Sequence, residues 1–137
     1  MSVRIALDTN VLVSGLLSPQ GASAQVLGLL LEGEIGLCVD ARIVYEYREV
    51  LSRPEWKFSS DDALIVLDAL LADALVVTPS PLNLTLPDQD DVMFVETAIA
   101  AGADAIVTGN KKHFPQKVIK IPILSPAELI QEFKRKK

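Results

Sequence analysis

Asp8 closes a short apolar run, Val3-Arg4-Ile5-Ala6-Leu7, and is followed by Thr9-Asn10 and then by apolar Val11-Leu12-Val13. A carboxylate in such company must be paired, cap a turn or bind a cation, because an unpaired charge among apolar groups is costly. Asp91 precedes Phe94, Val95 and Ala98 at helical spacing, which puts it on the face that those residues would bury. Asp88 and Asp90 stand beside it, and acids this close repel one another unless something positive lies among them. Glu46 falls between Ile43 and Val50, at the border of an apolar stripe that also holds Tyr47. Arg42, one helical turn earlier, is its simplest alternative partner. Thr108-Gly109-Asn110 adds a hydroxyl and an amide. Each feature alone has a plain reading: a turn cap at Asp8, a dipole contact at Asp91, a solvated helix face at Glu46. Together they form a set of hard oxygen donors, which suits Mg²⁺ or Mn²⁺. With one histidine and one cysteine in the chain, a conventional structural zinc site is excluded. There is no Gly-rich phosphate loop with its lysine and no Gly-x-Ser-x-Gly elbow.

These groups act together only if the fold brings them to one edge. Strand-like and helix-like segments alternate along the chain, the pattern of an α/β fold. Val3 to Leu7 reads as the first strand, and Ser18-Pro19-Gln20-Gly21 as a loop. A helix over Ala22 to Leu31 stops near Gly33, and Ile35 to Val39 is the second strand. Asp40 can cap the helix that carries Glu46, which ends at Arg53-Pro54. Ser59 or Ser60 caps a helix to about Ala72, and Leu75 to Thr78 is the third strand. After a proline-containing loop, a helix runs from about Asp90 to Ala101 and stops at Gly102. Ala105 to Thr108 is strand four, and Lys111 to Phe114 a short turn. Val118 to Leu124 is strand five, marked as an edge by Pro122. Ser125-Pro126-Ala127-Glu128 opens a last helix with a capping box; it frays into the residues from Lys134 to Lys137. In an open parallel sheet, sites form beyond the carboxyl ends of the strands, where Asp8 and Thr108 fall.

The 137 residues fit one domain over 1–137, and half are hydrophobic, enough for a core without disulfides. Cys38, in the run Gly36-Leu37-Cys38-Val39, reads as an inert core thiol in a reducing compartment. With no signal-peptide shape at the start, the expected location is the cytoplasm. The uncharged stretch Thr9 to Leu31 is interrupted by Asn10, Ser14, Ser18, Pro19, Gln20 and Gly21, which excludes a membrane span. Net charge is −5, and its distribution is uneven. Nine acids and no Lys or Arg lie between Lys57 and Lys111, whereas eight of the thirteen Lys and Arg lie from Lys111 onward. Lys111, Lys112, Lys117 and Lys120 follow strand four and are candidates for a nucleic-acid backbone contact.

Four segments, in order, resemble the PIN-domain family: residues Ile5 to Ser14, Tyr45 to Pro54, Asp88 to Phe94, and Ala101 to Asn110. The resemblance covers the chain nearly end to end and is closest to toxin components of toxin–antitoxin pairs. It implies a three-layer α/β/α fold around a mostly parallel five-stranded sheet. It also implies metal-dependent hydrolysis of RNA phosphodiesters with Mg²⁺ or Mn²⁺, and an antitoxin partner. The family's acids fall on Asp8, Glu46 and Asp91 as catalytic and metal-binding residues, with Asp90 or Asp88 as alternatives for the third. Thr9, Asn10 and Thr108 are supporting residues. The family's fourth carboxylate, found after Thr-Gly or three residues later, is replaced by Asn110 and His113 respectively. Asn110 would then ligate through its amide oxygen or hold a metal-bound water. The loss of that acid keeps open a second reading, a catalytically weakened PIN-like module that binds RNA or a protein. A third reading, an aspartyl-phosphate protein, fits poorly: position 10 is Asn, and the third strand ends in Thr78-Pro79.

The helix over residues 61–73 carries Leu64, Ile65, Val66, Leu67, Leu70 and Leu71, which go most of the way round it. One buried face needs fewer. The excess is expected to serve a homodimer or an antitoxin contact.

Overall fold

A computed structural model describes residues 3–135. Five parallel strands, β1 (Val3–Leu7), β2 (Ile35–Val39), β3 (Leu75–Val76), β4 (Ala105–Val107) and β5 (Ile123–Leu124), lie in the order β3-β2-β1-β4-β5. Six helices connect and flank them: α1 (Thr9–Leu17), α2 (Ala22–Leu31), α3 (Ala41–Leu51), α4 (Ser60–Ala72), α5 (Val92–Ala101) and α6 (Pro126–Arg135). The arrangement is the expected three-layer α/β/α sandwich, with every strand pair parallel.

The strand order carries the functional consequence. From β1 the chain builds outward through β2 and β3, then returns to lay β4 and β5 on the other side of β1. Connections after β1 and β4 therefore diverge, and a crevice opens at their carboxyl ends. Asp8 follows β1 and Thr108 follows β4, so these two residues flank the crevice.

The central strands are buried on both faces. Ile5, Ala6, Cys38, Val39, Ile106 and Val107 have no measurable exposure. α5 packs across β1, β2 and β4, while α2 contacts β2 and joins α1, α4 and α6. Gly15 lets α1 and α2 meet closely, since a Cβ there would stand 2.6 Å from Leu27 Cδ1. Gly102 ends α5 at φ 64°, in the left-handed region where a side chain is disfavoured. The Cys38 thiol donates to the Ile5 carbonyl at 3.2 Å, and burial raises its pKa to about 11, as an inert core thiol requires.

Local signals are met at several element ends. Asp40 Oδ1 accepts from the Ile43 amide at 2.9 Å, and Ser59 caps α4. The Ser125–Glu128 capping box is complete, at 2.8 and 3.1 Å. Other expectations need correction. Residues 9–17, left unassigned above, form α1. Strand five, expected from Val118, is only Ile123–Leu124. Pro122 cannot donate to a ladder, and the Gln116 amide instead bonds the Ile119 and Ile121 carbonyls and the Ile123 amide. Strand three ends at Val76, short of Thr78 and Pro79. The helix expected from Asp90 begins as a 3-10 turn, Gln89–Asp91, and becomes α-helical at Val92. The final residues of the expected C-terminal fray, 136 and 137, lie outside the described residues. No helix among the described residues is long and apolar enough to cross a membrane.

Candidate metal centre

Asp8 starts α1 with an extended backbone, and its amide donates to the Val107 carbonyl at 2.9 Å. That bond fixes the end of β1 to β4. The side chain is 5% exposed, and its Oδ2 accepts the Thr108 hydroxyl at 2.8 Å. Burial raises the Asp8 pKa, and the Thr108 hydrogen bond only partly offsets this. Thr108 in turn accepts the Asn110 amide at 3.0 Å, so one hydroxyl holds both Asp8 and the exit of β4.

Glu46 reaches the same place from α3. Tyr47, wholly enclosed beside it, donates its hydroxyl to the Leu7 carbonyl at 2.5 Å and so ties α3 to the end of β1. Glu46 Oε2 accepts the Thr9 hydroxyl. Arg42, the alternative partner weighed for Glu46, turns elsewhere. It lies 2.6 Å from Asp40 and 2.8 Å from Glu96, two buried carboxylates.

Asp91 comes from the turn that opens α5. Phe94, Val95 and Ala98 are buried as the spacing required, and they carry Asp91 inward until its side chain is 13% exposed. Its pKa is raised to about 6, first by burial, then by the charges of Asp8 and Asp88, with His113 opposing them. His113 Nδ1 lies 3.2 Å from Asp91 Oδ2. The pair lacks the alignment of a hydrogen bond, so Oδ2 is sealed from solvent with no donor among the described residues. Asp88 is exposed and caps the turn, with its Oδ1 accepting the Asp90 amide at 3.0 Å.

Asp8, Thr9, Asn10, Glu46, Asp88, Asp90 and Asp91 line one cleft of about 240 Å³, together with Arg53 and Trp56. The acids singled out in sequence thus converge. Asp88 and Asp91 of this lining also stand close to His113, which lies at its border: the ligand atoms of the three are within 4.8 Å of one another, a spacing that can hold a cation. Asp8 and Glu46 are outside that tight group. The basic residues are placed differently. Lys111 Nζ pairs with Glu128 at 2.8 Å, and Lys112 and Lys117 are exposed, outside the cleft lining. The cation that does line it is Arg53, which also pairs with Glu49 at 2.8 Å. A larger apolar pocket, about 310 Å³, is bordered by Val3 and Ala105. These open β1 and β4, so the pocket borders the opposite sheet edge and is remote from the acids.

Two participants escaped the sequence reading. His113 was read as the position of a missing acid, and its approach to Asp91 crosses a separation that no local pattern reveals. Arg53 read as a helix end. It lies just past Leu51, the last residue of α3, so helical register gave no signal for its place in the cleft.

Comparison with known proteins agrees with this architecture. An uncharacterized protein of Methanocaldococcus jannaschii is 26% identical over an alignment covering 98% of this chain and 94% of that protein. A chain in the crystal structure of VapBC2 from Rickettsia felis bound to a DNA fragment from their promoter superposes with a TM-score of 0.61. It is 18% identical, with 90% of this chain and 98% of that one covered. PAE2754 from Pyrobaculum aerophilum gives a TM-score of 0.61 at 17% identity, covering 97% of this chain and 90% of that one. The PIN-domain family model matches residues 4–112. With most of its length matched and its acids gathered at the sheet's switch point, the chain belongs to the PIN-domain family.

Proposed function

We propose that this protein is a Mg²⁺- or Mn²⁺-dependent ribonuclease, acting as a single PIN domain in the cytoplasm. One observation carries the reading: Asp8 and Asp91 are held together at the switch point, both with raised pKa values. Neither has a Lys or Arg ion pair among the described residues, whereas the buried Asp40 and Glu96 share Arg42. Carboxylates kept in mutual repulsion are stabilised by a bound cation. The donors fit one: they are predominantly carboxylate oxygens, and Asp91 Oδ2 is buried without a hydrogen-bond donor.

Asp8 and Asp91 would hold the ion, with Asn110, Asp88 or Asp90 completing the set; when bound, it activates water and neutralises charge on a phosphodiester. Thr108 orients Asp8 through its hydroxyl. Thr9 occupies Oε2 of Glu46, which leaves Oε1 to position a water or take its proton. Arg53 supplies the positive charge that a phosphate entering an acidic cleft needs, and Lys111, Lys112 and Lys117 would meet the backbone farther out. The alternative, a weakened module that binds RNA or protein without cutting, is supported by the absence of an acid at positions 110 and 113. The role of toxin in a toxin–antitoxin pair is suggested by the motifs, and the fold shared with the VapBC2 chain is compatible with it. A homodimer or antitoxin contact would use α4, where Ile65 is 67% exposed.

The test is cleavage of structured RNA with Mn²⁺ by the parent protein and by Asp8→Asn. We expect the substitution to lower the rate by roughly a hundredfold or more, since even outer partners of a metal ligand cost ten- to a hundredfold. RNA bound but cut by neither protein would establish the non-catalytic module instead.

A further inference from the structure

We propose that His113 is a nitrogen ligand to the cation of this cleft, and that it shifts the site's preference from Mg²⁺ toward first-row transition ions such as Mn²⁺. The inference rests on reading the cleft as a metal site.

The spacing comes first. His113 Nδ1 and Asp91 Oδ2 are 3.2 Å apart. Two donors bound at right angles to one small ion at ~2.1 Å stand ~3.0 Å apart. His113 Nδ1 thus stands at the separation that two ligands of one ion require, beside a carboxylate oxygen sealed from solvent. Asp88 completes a three-residue group within 4.8 Å, and its bond from the Asp90 amide fixes its orientation.

The backbone holds the histidine there independently of any ion. Asn110 is tied to Thr108, and the His113 amide donates to the Asn110 carbonyl at 3.1 Å. Phe114, next in the chain and 1% exposed, meets Phe94 edge-to-face at 6.5 Å. Phe94 lies one turn beyond Asp91 on α5. The aromatic contact therefore fastens the segment carrying His113 to the segment carrying Asp91.

Chemistry gives the consequence. Carboxylates alone serve Mg²⁺ and Mn²⁺ alike, but an imidazole favours transition ions, with affinity rising from Mn²⁺ along the first row. His113 is also the chain's sole histidine, so an imidazole signal on a bound ion has one source.

Mn²⁺ alone is the probe, added to tag-free full-length protein. Uptake is read from the loss of the free-ion electron paramagnetic resonance signal, and ligation from ¹⁴N coupling in pulsed spectra. We expect ¹⁴N coupling in the parent. His113→Gln should lose it and bind Mn²⁺ about tenfold or more weakly. His113→Asp should regain affinity with no ¹⁴N coupling and hold Mg²⁺ better in competition with Mn²⁺. Matching thermal melts for parent and variants separate ligation from folding. Mn²⁺ bound by the parent without ¹⁴N coupling, and lost in Asp8→Asn, would overturn the role of His113 and leave the cleft reading intact. No Mn²⁺ uptake by the folded parent would overturn both.

Discussion

Asp91 is the residue whose surroundings make the plainest thermodynamic demand. Its pKa is about 6 in the folded protein, against an ordinary 3.8, because burial and the charges of Asp8 and Asp88 outweigh His113. Between those two values the folded state holds a proton that the unfolded chain has released. Stability of the metal-free protein therefore falls as pH rises through this window, and the loss is complete above it. Asp8 acts in the same direction. Melting of metal-free protein at pH 5 and pH 7 checks this: Asp91→Asn should flatten the difference and add on the order of 1 kcal/mol at pH 7. A parent and variant with the same pH dependence would show that Asp91 is not strained. Asp8 and Asp91 were legible as candidates because each breaks an apolar pattern. Glu96 breaks one too, inside Val92–Ala101, and the same reasoning applied there would have required a partner for it. Which partner was not legible, since Arg42 reaches it across 54 positions of sequence.

At the scale of elements, α3 and α5 must keep a fixed relation, because they deliver Glu46 and Asp91 to one cleft. Arg42 bridges Asp40, at the end of β2, to Glu96 on α5, and Glu96 Oε2 accepts the Leu82 amide of the preceding loop at 2.7 Å. Arg42→Met would leave two buried carboxylates without their cation. Full burial of such a pair makes the loss ~3–5 kcal/mol. With Arg42 half exposed, about 2 kcal/mol is expected by chemical denaturation, together with weaker Mn²⁺ binding as the helices loosen. An unchanged midpoint would contradict the bridge. Capping patterns at Ser59 and Ser125 were readable because caps are local chemistry. The length of β5 was not, because Gln116 replaces ladder bonds from outside the strand.

The whole molecule works through its strand order. Alternation of strands and helices made the fold class legible, and the parallel order β3-β2-β1-β4-β5 places the crevice between β1 and β4. The surface away from that crevice carries exposed Ile65 on α4 and exposed Leu75 and Val76 on β3. If α4 joins two copies, Ile65→Glu should convert a dimer to monomer in light scattering and change stability by less than ~0.5 kcal/mol, as a surface change does. A parent that is monomeric at high concentration would remove that role.

Anomalous diffraction from a Mn²⁺-soaked crystal tests the account at its centre. It predicts a peak bonded to Asp8 and Asp91, with Glu46 turned toward the same cleft. A peak confined to other surfaces, or no peak beside Asp8 and Asp91 at saturating Mn²⁺, would contradict it.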